Sequence, residues 1–160
     1  MKTLKGEIKG KGLKIAVISS RFNEEITGNL IEGAKRLFIE KGVKEKDIYL
    51  YLVPGAFEIP SVLEKLLKKN SKLKYDGILT VGCVIKGETA HFEYISGSVS
   101  YGINQISSKY GVPVSFCVLT TYNDEQAEAR SRIDVCNHDT NKGFEAASAL
   151  LEMIDLMKKI

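Results

Sequence analysis

Cysteine, proline and histidine are all scarce in this chain, and long apolar runs are missing. Each shortage closes off a class of function. The three cysteines, Cys83, Cys117 and Cys136, form no C-x-x-C pair and leave an odd count, which argues for reduced thiols over a disulfide framework or a zinc site. No run approaches the ~18 apolar residues that a membrane span needs. The basic start, "MKTLKGEIKGKGLKIAVI", has too short an apolar run for a secretory core and no small-residue cleavage site, so a cytoplasmic protein is expected. Charge of one sign is not in excess either: 23 basic and 20 acidic side chains leave a formal net charge of +3. The charges are interspersed rather than gathered into an arm, which argues against nucleic acid as the main partner. No Ser-His-Asp order, metal-ligand cluster or GxGxxG occurs. Nucleophilic hydrolysis, metal catalysis and dinucleotide binding therefore lack support.

What is present is a globular composition, 44% hydrophobic and 27% charged with 14 Gly and 3 Pro, over 160 residues. That length suits one domain, residues 1–160, around one core. Four apolar runs have a strand's length and a β-branched bias: "LKIAVIS" at 13–19, "IYLYLV" at 48–53, "GILTVGCVI" at 77–85 and "VPVSFCVL" at 112–119. Helical periods lie between them. Ile26, Leu30, Ala34, Leu37 and Phe38 share one face, with Gly42 placed for a C-terminal cap. Val62, Leu63, Leu66 and Leu67 do the same ahead of a lysine-rich last turn. A third helix is expected near Ser96 to Lys109. Asn123, with Gln126 three residues on, reads as a capping box for a short helix through about Arg132. "GFEAASALLEMIDLMKKI" makes a long terminal helix, with Phe144, Ala147, Leu151, Ile154 and Met157 or Lys158 near its inner edge.

Strand alternating with helix predicts a doubly wound α/β domain, a parallel sheet covered on both faces. Residues 1–12 form either an extra edge strand or a mobile arm. Ligands of such sheets sit beyond the carboxyl ends of the strands, so four loops carry the functional question. In "SSRFNEE", Phe22 is either a core or interface aromatic or a stacking platform for a flat ring, and Asn23 reads as an N-cap. In "VPGAFEIP", Pro54 and Gly55 leave backbone groups open to a polar ring edge. Glu58 is either a helix-start acid or a hydroxyl acceptor. In "KGETAHFEY", Gly87, Glu88 and Thr89 can form an anion-binding nest with Lys86 nearby. The nest lacks the Lys-Ser/Thr ending of a nucleotide loop, which favours a small phosphate. His91, with an imidazole pKa of about 6.5, can both take and give a proton near neutrality; the bland alternative is a buried histidine bonded to Glu93. Arg130 can hold a phosphate bidentately or simply be solvated, and Lys142 follows in "TNKGFEAA".

Taken together, "SRFN", "VPGAFEIP", "GCVIKGETAHFEYI", "PVSFCVLTT", "DEQA" with Arg130, and "NKGFEAA" resemble the 6,7-dimethyl-8-ribityllumazine synthase family, in that family's own order from Ile15 to Met157. The resemblance implies a flavodoxin-like four-stranded domain. It also implies the penultimate step of riboflavin synthesis: a cofactor-free condensation of 5-amino-6-(ribitylamino)uracil with 3,4-dihydroxy-2-butanone 4-phosphate. Carried over by position, Phe22 would stack on the pyrimidine, backbone at Ala56 and Phe57 would hold its polar groups, and Glu58 would bond the ribityl chain. Cys83, Val84 and Ile85 would line the substrate site. Gly87, Glu88, Thr89 and Arg130 would bind phosphate, with His91 as proton carrier. Phe116, Arg130 and Lys142 would arrive from a neighbouring subunit of a homo-oligomer. Riboflavin synthase would be the pathway partner, with neither nucleic acid nor membrane involved.

One departure from the family pattern bears on assembly. Ten residues, "SRIDVCNHDT", separate Arg130 from Asn141, more than in many bacterial members and nearer the fungal length. In the family this length goes with free pentamers rather than the icosahedral shell. His138 within it is either a loop residue or a phosphate contact. Two other readings stay open: the archaeal type of riboflavin synthase, whose reaction releases no phosphate, and a flavin- or lumazine-binding carrier or shell protein.

Overall fold

The structure, a computed structural model, describes residues 1–68, 73–134 and 140–160; Cys136 and His138 lie outside them. Four parallel strands, β1 (Ile15–Ser20), β2 (Ile48–Val53), β3 (Gly77–Ile85) and β4 (Val114–Thr121), form one sheet in the order β2-β1-β3-β4. Five α-helices among the described residues flank it: α1 (Glu24–Glu40), α2 (Ile59–Leu67), α3 (His91–Tyr110), α4 (Asp124–Ser131) and α5 (Lys142–Lys159). This is the expected covered α/β sheet.

Alternation along the strands explains why both faces are covered. Ile15 and Val17 of β1, with Leu79 and Val81 of β3, join Leu30, Phe38, Leu150 and Leu151 in a core under α1 and α5. Ala16, Ile18 and Ile78 point the other way, into a core with Ile59, Leu63, Val99 and Ile103 under α2 and α3. The five α1 positions read as one face are all buried. Gly42 closes that helix at φ 95°, with its N–H bonded to Ile39 O at 3.0 Å, a left-handed position that glycine fills without a Cβ clash.

Several boundaries move. β1 and β4 each begin two residues later than their apolar runs and extend to Ser20 and Thr121. The larger change is α3, which begins at His91, five residues before Ser96. Only Val99 and Ile103 of this helix are buried, so its apolar period is too sparse to mark its start. At the end of α5, Met157 is exposed, and Lys158 reaches Asp76 at 3.7 Å rather than turning inward.

The extra edge strand is absent among the described residues. Residues 5–9 instead lie along the last turns of α5. Glu7 N–H donates to Asp155 Oδ2 at 2.7 Å, and Lys159 Nζ donates to Lys5 O at 2.9 Å. A Cβ at Gly6 would fall 1.9 Å from Glu152 O, so only glycine permits the approach. No helix among the described residues is long and apolar enough to cross a membrane.

Candidate active site

The sheet order places a divide between β1 and β3: the chain leaves β1 for β2 on one side and β3 for β4 on the other. β1 and β3 pair as far as Ser19 and Val81, whereas β3 continues against β4 to Ile85. A crevice must open where the two part. A cleft of about 710 Å³ occupies it.

Three of the loops supply most of its walls, and Asp124, from the loop "LTTYNDEQ" after β4, adds to them. Arg21 N–H bonds Val53 O at 2.8 Å and Phe22 N–H bonds Pro54 O at 3.3 Å, which carries the Phe22 ring to the cleft wall at 70% exposure. That exposure excludes a core position. The next loop supplies Ala56, Phe57 and Glu58 to the opposite wall, as a single 3-10 turn. Glu58 Oε2 accepts from Gly55 N–H at 2.9 Å, so this carboxylate caps its own turn while facing the cleft. Cys83, Val84 and Ile85, at the end of β3, form the floor. Burial raises the Cys83 thiol to about 11, which keeps it protonated and unreactive at neutral pH.

The third contribution is the start of α3. Gly87 and Thr89 line the cleft just ahead of the helix, and His91 is its first residue. His91 N–H lies 3.4 Å from Thr89 Oγ1, and the unpaired amides of a first helical turn, with the helix dipole, favour an anion here. Glu93 does not hold His91. Its carboxylate takes Lys86 Nζ at 3.0 Å, and that contact lowers its pKa. Lys86 also lies 5.8 Å over the Tyr122 ring, so its charge is turned toward Glu93 and Tyr122. Glu88 is exposed and does not line the cleft.

Three expected site residues lie elsewhere. Phe116, Arg130 and Lys142 line a separate hollow of about 370 Å³ between β4 and α5, which shares no lining residue with the cleft. Arg130 Nη1 bends back to Gln126 O at 2.9 Å, and Lys142 pairs with Glu145. Cys117 backs this hollow, its thiol pushed up to about 12 mainly by burial. No group of three or more His, Cys, Asp or Glu among the described residues is placed to hold a metal ion.

The cleft has members that sequence reasoning did not assign, Phe92, Ile95 and Asp124, beside Gly55, which it did. Phe92 and Ile95 were hidden by the late start expected for α3; from His91 onward, Ile95 is one turn further along the same face. Asn23 is a correction. It stands at the N-cap of α1, but its side chain makes no capping bond; its Nδ2 donates to Cys83 O at 3.0 Å. At α4 the expected box is shifted by one residue. Asn123 Oδ1 accepts from Gln126 N–H at 3.0 Å, but Gln126 Oε1 takes Tyr122 N–H, also at 3.0 Å.

The assembled cleft offers an aromatic face, backbone and carboxylate groups for a polar ligand, a helix start for an anion and an imidazole for protons. Residues 12–158 match the family described as 6,7-dimethyl-8-ribityllumazine synthase. The chain is 46% identical over 161 residues to the enzyme of that name from Campylobacter hominis, spanning 100% of this chain and 99% of that protein. It is 47% identical over 161 residues to the one from Nautilia profundicola, across 100% of both. Against the one from Helicobacter hepaticus the identity is 48% over 147 residues, or 92% of this chain and 90% of that protein. Cleft, fold and full-length likeness agree: the chain belongs to the 6,7-dimethyl-8-ribityllumazine synthase family.

Proposed function

We infer that the protein is a transferase that condenses 5-amino-6-(ribitylamino)uracil with 3,4-dihydroxy-2-butanone 4-phosphate to give 6,7-dimethyl-8-ribityllumazine, phosphate and water. The observation that carries this reading is the gathering of Phe22, Glu58, Thr89 and His91 around one cleft at the β1–β3 divide. A flat pyrimidine stacks on Phe22, with its edges read by backbone at Ala56 and Phe57 and its ring over Cys83, Val84 and Ile85. Glu58 accepts from the ribityl hydroxyls, and the α3 start receives the phosphate at Gly87 and Thr89, with Glu88 offering only its backbone N–H from outside the cleft lining.

The 5-amino group of the uracil attacks the ketone and a first water leaves to form an imine; phosphate is then eliminated, the resulting enol tautomerises to a ketone, and the ribitylamino nitrogen attacks that ketone with loss of a second water to close the ring. Each step moves a proton, and His91 at the mouth of the nest serves them in turn. Holding both reactants in register supplies the largest share of the rate, since orientation alone can be worth roughly 7 to 11 kcal/mol.

Among the described residues no lysine or arginine lines the cleft, whereas Arg130 and Lys142 line the β4–α5 hollow. A phosphate held by the helix start alone would be under-neutralised. A second copy that laid its Phe116, Arg130 and Lys142 against the cleft would complete the site, so the working unit is an oligomer. The ten-residue connection 131–140 favours a pentamer over an icosahedral shell. Riboflavin synthase would consume the product. The cytoplasm is the proposed location, in keeping with the buried free thiols of Cys83 and Cys117.

The test is an absorbance and fluorescence time course with both substrates against each alone. Lumazine appearing faster than the spontaneous reaction supports the synthase; a folded oligomer that binds chromophore without acceleration would make the protein a carrier.

A further inference from the structure

Asn23 is the one non-glycine residue with positive φ among the described residues, at φ 58° and ψ 51°. A left-handed residue after a strand is ordinarily glycine. Asparagine tolerates the conformation because its short amide can bond its own backbone. Here the amide bonds something distant instead: Nδ2 donates to the carbonyl of Cys83, 60 residues away, at 3.0 Å.

The location explains why a side chain is used. β1 and β3 stop pairing after Ser19 and Val81, so the Cys83 carbonyl that faces β1 has no strand amide to receive. Asn23 supplies that donor from the far lip of the cleft. The same residue starts α1, its carbonyl accepting from Thr27 N–H at 3.0 Å. Phe22 is thereby held from two sides, by backbone bonds to Pro54 on the β2 side and through its neighbour's amide to β3.

We propose that Asn23 is a positioning residue: its bridge across the β1–β3 divide fixes the Phe22 ring over the floor at Cys83 and Val84, and so sets affinity for the planar ring substrate and not for phosphate. The inference rests on the proposed function for the identity of that ring. The left-handed backbone selects asparagine or glycine, and the need for a donor selects asparagine.

Asn23→Gly keeps the backbone conformation and removes only the bridge. Calorimetric titration of the oligomer with 5-amino-6-(ribitylamino)uracil is expected to show affinity weakened roughly five- to tenfold, the size of one lost hydrogen bond. Affinity for inorganic phosphate should stay at the wild-type value. Phe22→Leu alone should weaken the uracil too, and adding Asn23→Gly to it should cost little more, because the bridge acts through the ring. Asn23→Asp, which keeps the shape but presents no donor at neutral pH, gives the same comparison should the glycine variant fold poorly. Unchanged uracil affinity, equal weakening of uracil and phosphate, or full additivity with Phe22→Leu would each overturn the proposal; full additivity would mean direct contact with substrate. Since binding is read rather than turnover, a wild-type protein that binds the uracil but makes no lumazine sinks the proposed reaction and leaves the bridge standing or falling on its own result.

Discussion

The cleft at the β1–β3 divide and the hollow between β4 and α5 divide unlike charges between two faces of the chain. The cleft has aromatic and apolar walls, carboxylates from Glu58 and Asp124, an imidazole and a helix start; the hollow has Arg130 and Lys142. Each cation is occupied on its own chain, Arg130 by the Gln126 carbonyl and Lys142 by Glu145. Cations gathered in an empty cleft would repel one another and be desolvated together. Placed on another face, they cost the isolated fold little, and under the proposed function a second copy packed there would bring them to the cleft.

The largest effect should come from the cleft. His91→Ala is expected to slow lumazine formation by ~10² to 10⁴, the usual loss for one acid–base group, yet to leave activity above the spontaneous rate because the reactants are still oriented. Initial rates would decide it, and a wild-type rate would remove His91 from the chemistry. Next comes the hollow. Arg130→Ala should raise KM for the butanone phosphate roughly 10- to 100-fold, as expected for a charge-assisted bond to phosphate. It should leave the melting temperature nearly unchanged, since the side chain is exposed. Co-refolding the His91→Ala and Arg130→Ala chains breaks or confirms the two-face division directly. Mixed oligomers regain activity if each site draws on two chains, and stay at the level of the parents if it does not.

A smaller contrast concerns the thiols. With Cys83 raised to about 11 and Cys117 to about 12, both should resist iodoacetamide at pH 8 until the protein is unfolded. Cys83 should react first in partial denaturant; peptide mapping by mass spectrometry reads the order. The smallest effect belongs to Lys86. Because it is committed to Glu93, Lys86→Met should change KM for the phosphate substrate by less than about threefold, in line with an exposed pair. The Glu93 carboxylate is held below its ordinary pKa by Lys86. Its contribution to stability is therefore present above the ordinary carboxylate value and lost as pH falls through the lowered one. Denaturation midpoints of wild type and Glu93→Gln should differ at pH 7 and draw together as the pH falls below the ordinary carboxylate value.

Much of this could be read from the chain wherever the cause was local. The α1 face and the limits of β2 and β3 follow from residues buried on one side or both. The cleft loops were legible because they hold unusual groups just past strands. What escaped had distant causes. The start of α3 lacks an apolar period, since Tyr94 and Tyr101 face outward. The bridge from Asn23 depends on a carbonyl 60 residues away. That Arg130 lies off the cleft appears in no spacing; only the family resemblance implied it.

The seam between residues 5–9 and the end of α5 has an engineering consequence. Lys158 meets Asp76, which directly precedes β3, so the seam sits at the amino pole of the sheet, opposite the cleft. Residues 5 and 159 touch there. A short connector could therefore close the polypeptide into a ring and allow new ends to be cut elsewhere, and a label attached at either residue would emerge on the far side from the substrates.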